Sequence, residues 1–457
     1  MVGSVVAIFS SIQGLLASST QRFLNFEHGR GNKGQLNKIF SMSVWIHIGL
    51  SLLFLIVILP IGLWIINSYL VIPENRITAA NWVFVFSIFS AIVTIMTVPY
   101  NAVIIANERM NAFAYISILD GVLRLVIIYL LIYSVFDQLI TYAVLLFVIG
   151  LIVRLVNMIY CHRKFEEAKQ IKFVWDKQLL IQMSSFAGWQ FLGNSGWAIQ
   201  TQGLNMVLNV FFGPALNAAR GIANQVDAAL NMFVNNMMLA INPQITKLYA
   251  SNNKKDFEKL FHRSSRFSFM IFIILAFPIF ISTDFILNLW LVSVPSYTIL
   301  FVRLILIYSL IRTLHMPLDS IIKSTGNLKT YQITDFVCLV LTIPLAYISL
   351  SVYNKPELLI IVMIVMQIIA TFLTFLISHK IVGISLASYF KNVLFLCILI
   401  SVVFTVFLCL SKYIALHIII KTILMSVVFT MVVLVLGLTK SEIKSIKRYC
   451  IKRNEST

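Results

Sequence analysis

Residues 213–231 read GPALNAARGIANQVDAALN, and polar side chains recur in it at spacings of three and four: Asn217, Arg220, Asn224, Asp227 and Asn231, continued by Asn235 and Asn242. That spacing puts them on one face of a helix. The stretch before it adds Gln190, Asn194, Thr201 and Asn205, with Gln200 and Gln202 beside them. The chemistry of such a row is recognition rather than bond-breaking. Arginine offers a planar fork suited to phosphate or carboxylate, and side-chain amides both donate and accept, as sugar hydroxyls require. Either the row lines a water-filled cavity or it ties neighbouring helices by hydrogen bonds.

Other charges fall inside apolar runs. Asp120 and Arg124 stand at i,i+4 and either pair with each other or meet a ligand. Arg312 is central in its run, with His315 one turn on and Asp319 and Asp335 near run ends; Arg154 and Arg303 lie where they can reach the interface. His315 is either a proton switch or a hydrogen-bonded structural residue. Each charge at membrane depth costs several kcal/mol on insertion scales and so needs a reason.

The elements that carry these residues are membrane helices. The chain has 457 residues, 60% of them hydrophobic and 11% charged. Apolar runs of about 20 residues, long enough to cross the hydrocarbon, recur throughout. We read about thirteen spans, near 1–24, 39–66, 80–106, 111–135, 139–162, 178–212, 215–248, 267–291, 297–323, 327–352, 356–380, 389–411 and 414–438. The expected fold class is all-α and polytopic. The net charge of +18 does not point to nucleic acid, because Lys and Arg concentrate in alternate connections: 30–38, 163–177, 247–266 and the tail 440–453. The connections between them carry little more than Arg76, Lys355 and Lys412. By the positive-inside rule the basic connections and the C-terminus are cytoplasmic. The five cysteines are scattered without CxxC spacing, so neither a disulfide framework nor a zinc site is supported.

The chain repeats itself. ASSTQRFLNFEHGRGNKGQLNKIF (17–40) aligns with AINPQITKLYASNNKKDFEKLF (240–261), and VPYNAVIIANERMNAF (98–113) with MPLDSIIKSTGNLKTY (316–331). Gln21 meets Gln244, Phe40 meets Phe261, Pro99 meets Pro317, Asn101 meets Asp319, and Pro73 meets Pro295, all at offsets near 220 residues. Two parallel helical bundles follow: 1–165, a linker at 166–177, 178–380, then two additional helices (381–438) and a basic tail (439–457). The repeat leaves helix 178–212 without a partner, so the first bundle is expected to lack its first helix.

Enzyme chemistry is not expected, since there is no Walker A, HExxH or GxSxG signature and no long connection to hold an acceptor. The segments SSTQRFLNFEHGRGN, AANWVFVFSIFS, VPYNAVIIANERMNAFAYISILD, SFAGWQFLGNSGW, FFGPALNAARGIANQV and NPQITKLYAS together resemble the Wzx-like polysaccharide flippases, relatives of the MATE exporters and lipid II flippases within the MOP superfamily. The resemblance implies movement of an undecaprenyl-diphosphate-linked oligosaccharide between leaflets of the bacterial inner membrane by alternating access. It implies membrane lipids, a polysaccharide polymerase and glycosyltransferases as working partners. It also implies that Arg220 holds negative charge on the cargo. On cavity chemistry the same role extends to Arg124 and Arg312, with Asp120, Asn194, Gln190, Asn224, Asp227, Asn231 and His315 around them. No cofactor is called for; coupling to a proton or sodium gradient through Asp227 or Asp120 is an open route. The same fold also admits a cation-coupled multidrug exporter, and a membrane enzyme of glycan assembly is a third reading.

Overall fold

The computed structural model describes residues 17–414, 416–439 and 442–443. Most of the expected first span (1–24), Cys450 and most of the basic tail lie outside the described residues. The fold is all-α: α1 (17–30), α2 (Lys33–Ser68), α3 (Ile77–Ala106), α4 (Met110–Ile132), α5 (Gln138–Lys164), α6 (Lys177–Phe212), α7 (Pro214–Ala250), α8 (Lys254–Ile281), α9 (Thr283–Trp290), α10 (Thr298–Thr325), α11 (Lys329–Tyr353), α12 (Glu357–Val382), α13 (Leu386–Tyr413) and α14 (Ile418–Gly437). Among the described residues, 10 helices are long and apolar enough to cross a membrane. The polar-striped α6 and α7 are not among them, although each exceeds 35 residues.

By contacts the chain forms two units. Unit 1 comprises residues 1–194, 242–253 and 326–328; unit 2 comprises 195–241, 254–325 and 329–457. Within unit 1 the main packing partners are α3 with α5, α4 with α5, and α2 with α3. Within unit 2 the corresponding pairs of the repeat pack together: α10 with α12, α11 with α12, and α8 with α10. The turns repeat too. Gly31 (φ 71) and Asn252 (φ 54) both adopt the left-handed conformation after a helix. At each turn the next amide reaches back five residues at 3.2 Å, Asn32 to the Glu27 carbonyl and Asn253 to the Leu248 carbonyl. Phe40 and Phe261, paired by the repeat, are each fully buried.

Unit 1 has cores around Leu24, Phe40, Val103 and Cys161, and around Phe54, Phe84 and Ile88. The core of unit 2 runs from Leu204 and Leu208 through Ala219 and Val234 to Phe301 and Leu350. The two additional helices belong to unit 2 and pack on α8, where Phe277 stacks on Phe429 at 4.1 Å. In α2 a π turn at Phe54–Ile58 precedes Pro60, which has no amide to give the regular ladder.

Three boundaries depart from the sequence reading. The basic segment 247–266 is not a loop beyond residue 253, because α8 begins at Lys254 rather than near 267. Phe257, Phe261, Ser264, Ser265 and Ser268 are buried at helical spacing, so the charge run is the solvated face of an amphipathic start. Its other end stops at Ile281, and the short α9 follows as a separate element. Likewise α2 starts at Lys33, where the Asn32 side chain accepts from the Gln35 amide.

Candidate functional site

Within unit 2 the polar row of α7 is turned against other helices. Gly213 (φ 77) closes the turn from α6, which brings α6 and α7 into reach of each other. Arg220 is 2% exposed. Its Nη1 donates to Asn205 Oδ1 at 2.5 Å and to the Thr201 carbonyl at 3.3 Å, both on α6. Its Nε is buried without a hydrogen-bond partner. Arg220 therefore does not snorkel; in this geometry it is the centre of an interhelical tie. Asn217 and Asn224 are half-buried beside it.

Two turns further on the row meets α10. Asn231 Nδ2 donates to Asp227 Oδ1 at 2.9 Å and to Ser309 Oγ at 3.3 Å. Ser309, Arg312, Asp319 and Lys323 fall on one side of α10 at helical spacing, and His315 adjoins them. His315 Nε2 lies 3.2 Å from the Tyr331 hydroxyl and 3.7 Å from Asp335 Oδ1, both on α11. Lys323 pairs with Asp319 at 2.6 Å. Arg312 is different. It is half-buried, near the middle of α10, and has Asp227, Asp335, Tyr308 and Tyr331 as electrostatic neighbours. Among the described residues it makes no hydrogen bond or ion pair.

This arrangement is a polar cluster in an apolar helix bundle, built from three carboxylates, one arginine with unspent donors, a histidine, and phenol, hydroxyl and amide groups. An arginine so placed favours a ligand oxygen with negative charge, because the protein supplies no fixed acceptor for its fork. The amide and hydroxyl neighbours suit uncharged oxygens. No group of residues among those described could hold a metal ion through clustered His, Cys, Asp and Glu.

The remaining sequence candidates lie in unit 1. Arg124 Nε donates to both oxygens of Asp120 at 3.0 Å, so the two meet each other on α4. Gln190 is buried and donates to Ser18 Oγ at 2.9 Å; Asn194 is exposed. Unit 1 also holds a small, mostly apolar cavity with a few polar groups in its lining that the sequence reading did not single out. A 20 Å³ cavity is lined by Ser19, Thr20, Ser43, His47 and Met183. His47 Nδ1 sits 2.6 Å from the Ser43 carbonyl, which places its proton there and leaves the buried Nε2 without a partner. Ser43, His47 and Ser51 recur at i,i+4, the one signal that could have found it.

At a turn of unit 1, Glu108 (φ 57) accepts from Lys247 Nζ at 2.6 Å and Gln244 Nε2 at 3.1 Å. Burial pushes its carboxyl up, but the Lys247 hydrogen bond and charge together outweigh that, and it ends below its ordinary value. Glu167 behaves alike: burial is outweighed by His28 and by Asn107, whose Nδ2 donates at 2.7 Å.

A family model described as MatE matches residues 200–348, about a third of the chain. No curated protein matches the chain by sequence. Solved structures share the fold. One is an outward-facing multidrug resistance MATE family transporter of the MOP superfamily, with TM-score 0.72, 16% identity, and 81% of this chain and 84% of that one covered. Another is a MATE point mutant, with TM-score 0.73, 16% identity, and coverage of 83% and 86%. A third is a MOP superfamily transporter from Pyrococcus furiosus with a binding pocket described as reversed in polarity, with TM-score 0.70, 16% identity, and coverage of 81% and 84%. The chain has the fold of the MATE transporters, and a MatE family model matches about a third of it.

Proposed function

We propose that this protein moves an anionic, hydroxyl-rich cargo across the bacterial inner membrane, and that the cargo is an undecaprenyl-diphosphate-linked oligosaccharide. The basic connections lie on the cytoplasmic side, as the charge asymmetry requires. The observation that carries the proposal is Arg312: half-buried at mid-helix, without a fixed acceptor, and flanked by amides, phenols and hydroxyls. A guanidinium within a membrane span is costly unless water or a ligand meets its free donors. A diphosphate or acidic sugar supplies that complement, and Asn231, Ser309 and Tyr331 supply partners for neighbouring hydroxyls. Arg220, sealed by Asn205, positions α6 against α7 in this reading and meets no cargo in the geometry described.

The test is deletion in the native host followed by complementation. Wild type is expected to restore surface glycan. Arg312→Gln is expected to accumulate lipid-linked repeat units, with surface glycan down at least tenfold at equal protein abundance, and Arg312→Lys to recover only part. Full activity of Arg312→Gln would overturn the role of that residue, and unchanged lipid-linked intermediates in the deletion strain would overturn the cargo.

A second reading draws support from the carboxylates Asp227, Asp319 and Asp335 in the same cluster. They suit a cation-coupled exporter of small molecules, with proton or sodium binding at Asp227. Asp227→Asn separates the readings: lost drug tolerance with normal surface glycan favours the exporter, and the reverse favours the flippase.

A further inference from the structure

The amphipathic start of α8 carries Lys255, Lys259, His262 and Arg266 at spacings of four, three and four, which is one helix face. This row lines a cavity of about 330 Å³ within unit 2 together with Glu258 of the same helix, Ser388 and Asn392 of α13, Thr439 and Glu442, so four basic side chains face two carboxylates there. The floor is fixed. Glu442 accepts from Arg266 at 2.8 Å and lies 3.6 Å from Arg263, so this carboxylate is already satisfied. The cations above it are not: Lys255 and Lys259 have no acceptor among the described residues, and the buried Nε of Arg266 and Nε2 of His262 have no hydrogen-bond partner.

The α13 side is also shaped. Asn392 donates to Ser388 Oγ at 3.0 Å inside the π turn Phe390–Leu394, and π turns gather at functional sites. Phe395 follows Asn392 by one turn and is 60% exposed, and Phe390 beside the pocket is 55% exposed. Exposed aromatic rings thus lie within one turn of the pocket residue Asn392 along α13.

We propose that this pocket binds a phosphate group, the phosphodiester of an anionic lipid headgroup or a soluble phosphate ester, at the basic end of unit 2. Lys255 and Lys259 close on the phosphate, and Ser388 and Asn392 meet headgroup hydroxyls. Phe390 and Phe395 lie where acyl chains would run, an arrangement that suits the lipid source. Basic pockets of this kind between membrane helices take lipid phosphates. The site is separate from the Arg312 cluster, and the proposal rests only on the chain spanning a membrane, whatever the cargo.

The experiment uses the full chain purified in neutral detergent. Thermal unfolding and native mass spectrometry are measured with phosphatidylglycerol, with phosphatidylcholine, and with glycerol phosphate at matched concentration. Phosphatidylglycerol is expected to stabilise the wild type and to appear as a retained adduct. Lys255→Gln with Lys259→Gln is expected to weaken that binding about thirtyfold at low salt, from about fivefold per lysine near a charged headgroup. Both lysines are exposed, so the double variant is expected to match wild type without lipid. Asn392→Asp, from the α13 side, is expected to weaken binding several-fold by repulsion. Equal stabilisation by glycerol phosphate assigns the soluble source. Wild type and both variants responding alike to every probe would overturn the proposal.

Discussion

Replacing Asn205 is expected to damage the protein more than replacing the arginine it holds. Arg220 is 2% exposed and its Nη1 sits 2.5 Å from Asn205 Oδ1, with the Thr201 carbonyl further off at 3.3 Å. In Asn205→Ala the guanidinium stays buried and loses its nearer acceptor. A hydrogen bond to a charged group contributes about 1.5–3 kcal/mol, while measured interhelical bonds in membranes reach about 1.7. A cost near 1.5 kcal/mol, or about tenfold in the folded-to-unfolded ratio, satisfies both. In Arg220→Met the charge leaves with its demand for partners, and a hydrophobic group of similar length fills the space, a change that is often neutral. The double variant should then be no worse than Arg220→Met alone, a coupling of about 1.5 kcal/mol. Thermal unfolding of the four proteins in detergent reads this cycle, and surface glycan at equal abundance reads transport. The reasoning is refuted if Arg220→Met is the most damaging change, or if the two single effects simply add. It is refuted equally if Arg220→Met unfolds like wild type but abolishes transport, because the guanidinium would then be serving cargo and not the helices.

Three further outcomes are expected. Asp120→Asn and Arg124→Gln each leave one charge of the pair without its partner within a membrane span, so each single variant should be less stable than the double variant by about 1 kcal/mol or more, and the double variant should transport normally; loss of transport in the double variant at normal abundance would give the pair a cargo role. Gly29→Ala should lower the unfolding temperature by several degrees, since the added Cβ would meet the Lys247 carbonyl oxygen at 2.4 Å and backbone cannot swing aside; an unchanged melt would contradict the close approach of α1 to the end of α7. Glu108 has a folded-state value below its unfolded one, so its contribution is fully present above the unfolded value, about 4.3, and is lost as pH falls through the lower folded value. The difference in melting temperature between wild type and Glu108→Gln should therefore be flat from pH 8 to 5 and shrink below about pH 4; a change centred near neutrality would contradict it.

Much of the fold was legible because apolar runs and proline landmarks survive in both halves. The pairing of Pro99 with Pro317 and of Phe40 with Phe261 led to the expectation of two bundles; both phenylalanines are fully buried, and the like turns at Gly31 and Asn252 both fall in unit 1. The start of α8 was not legible as helix, because charges dominate its solvated face and hide the phenylalanine row beneath. Spacing showed that Arg220, Asp227 and Asn231 share a face, but spacing is silent on what stands opposite. Here the opposite side is Asn205 for one end and Ser309 for the other. Tyr331 escaped notice because a tyrosine inside an apolar run reads as bulk until its hydroxyl is seen beside His315. His47 escaped for a similar reason: its partner is a backbone carbonyl, which no residue type announces.

The one-residue turn at Gly213 has a consequence for how the chain enters the membrane. Taken singly, α7 presents an arginine and an aspartate to the insertion machinery, each costing about 2.5–3.5 kcal/mol at mid-span. Synthesis delivers α6 first, and Asn205 precedes Arg220 by 15 residues. The acceptor is thus already in place when the guanidinium leaves the ribosome, and α6 and α7 can partition as one hairpin with the arginine satisfied. Biogenesis, and not only the finished structure, depends on the two helices being neighbours in the chain.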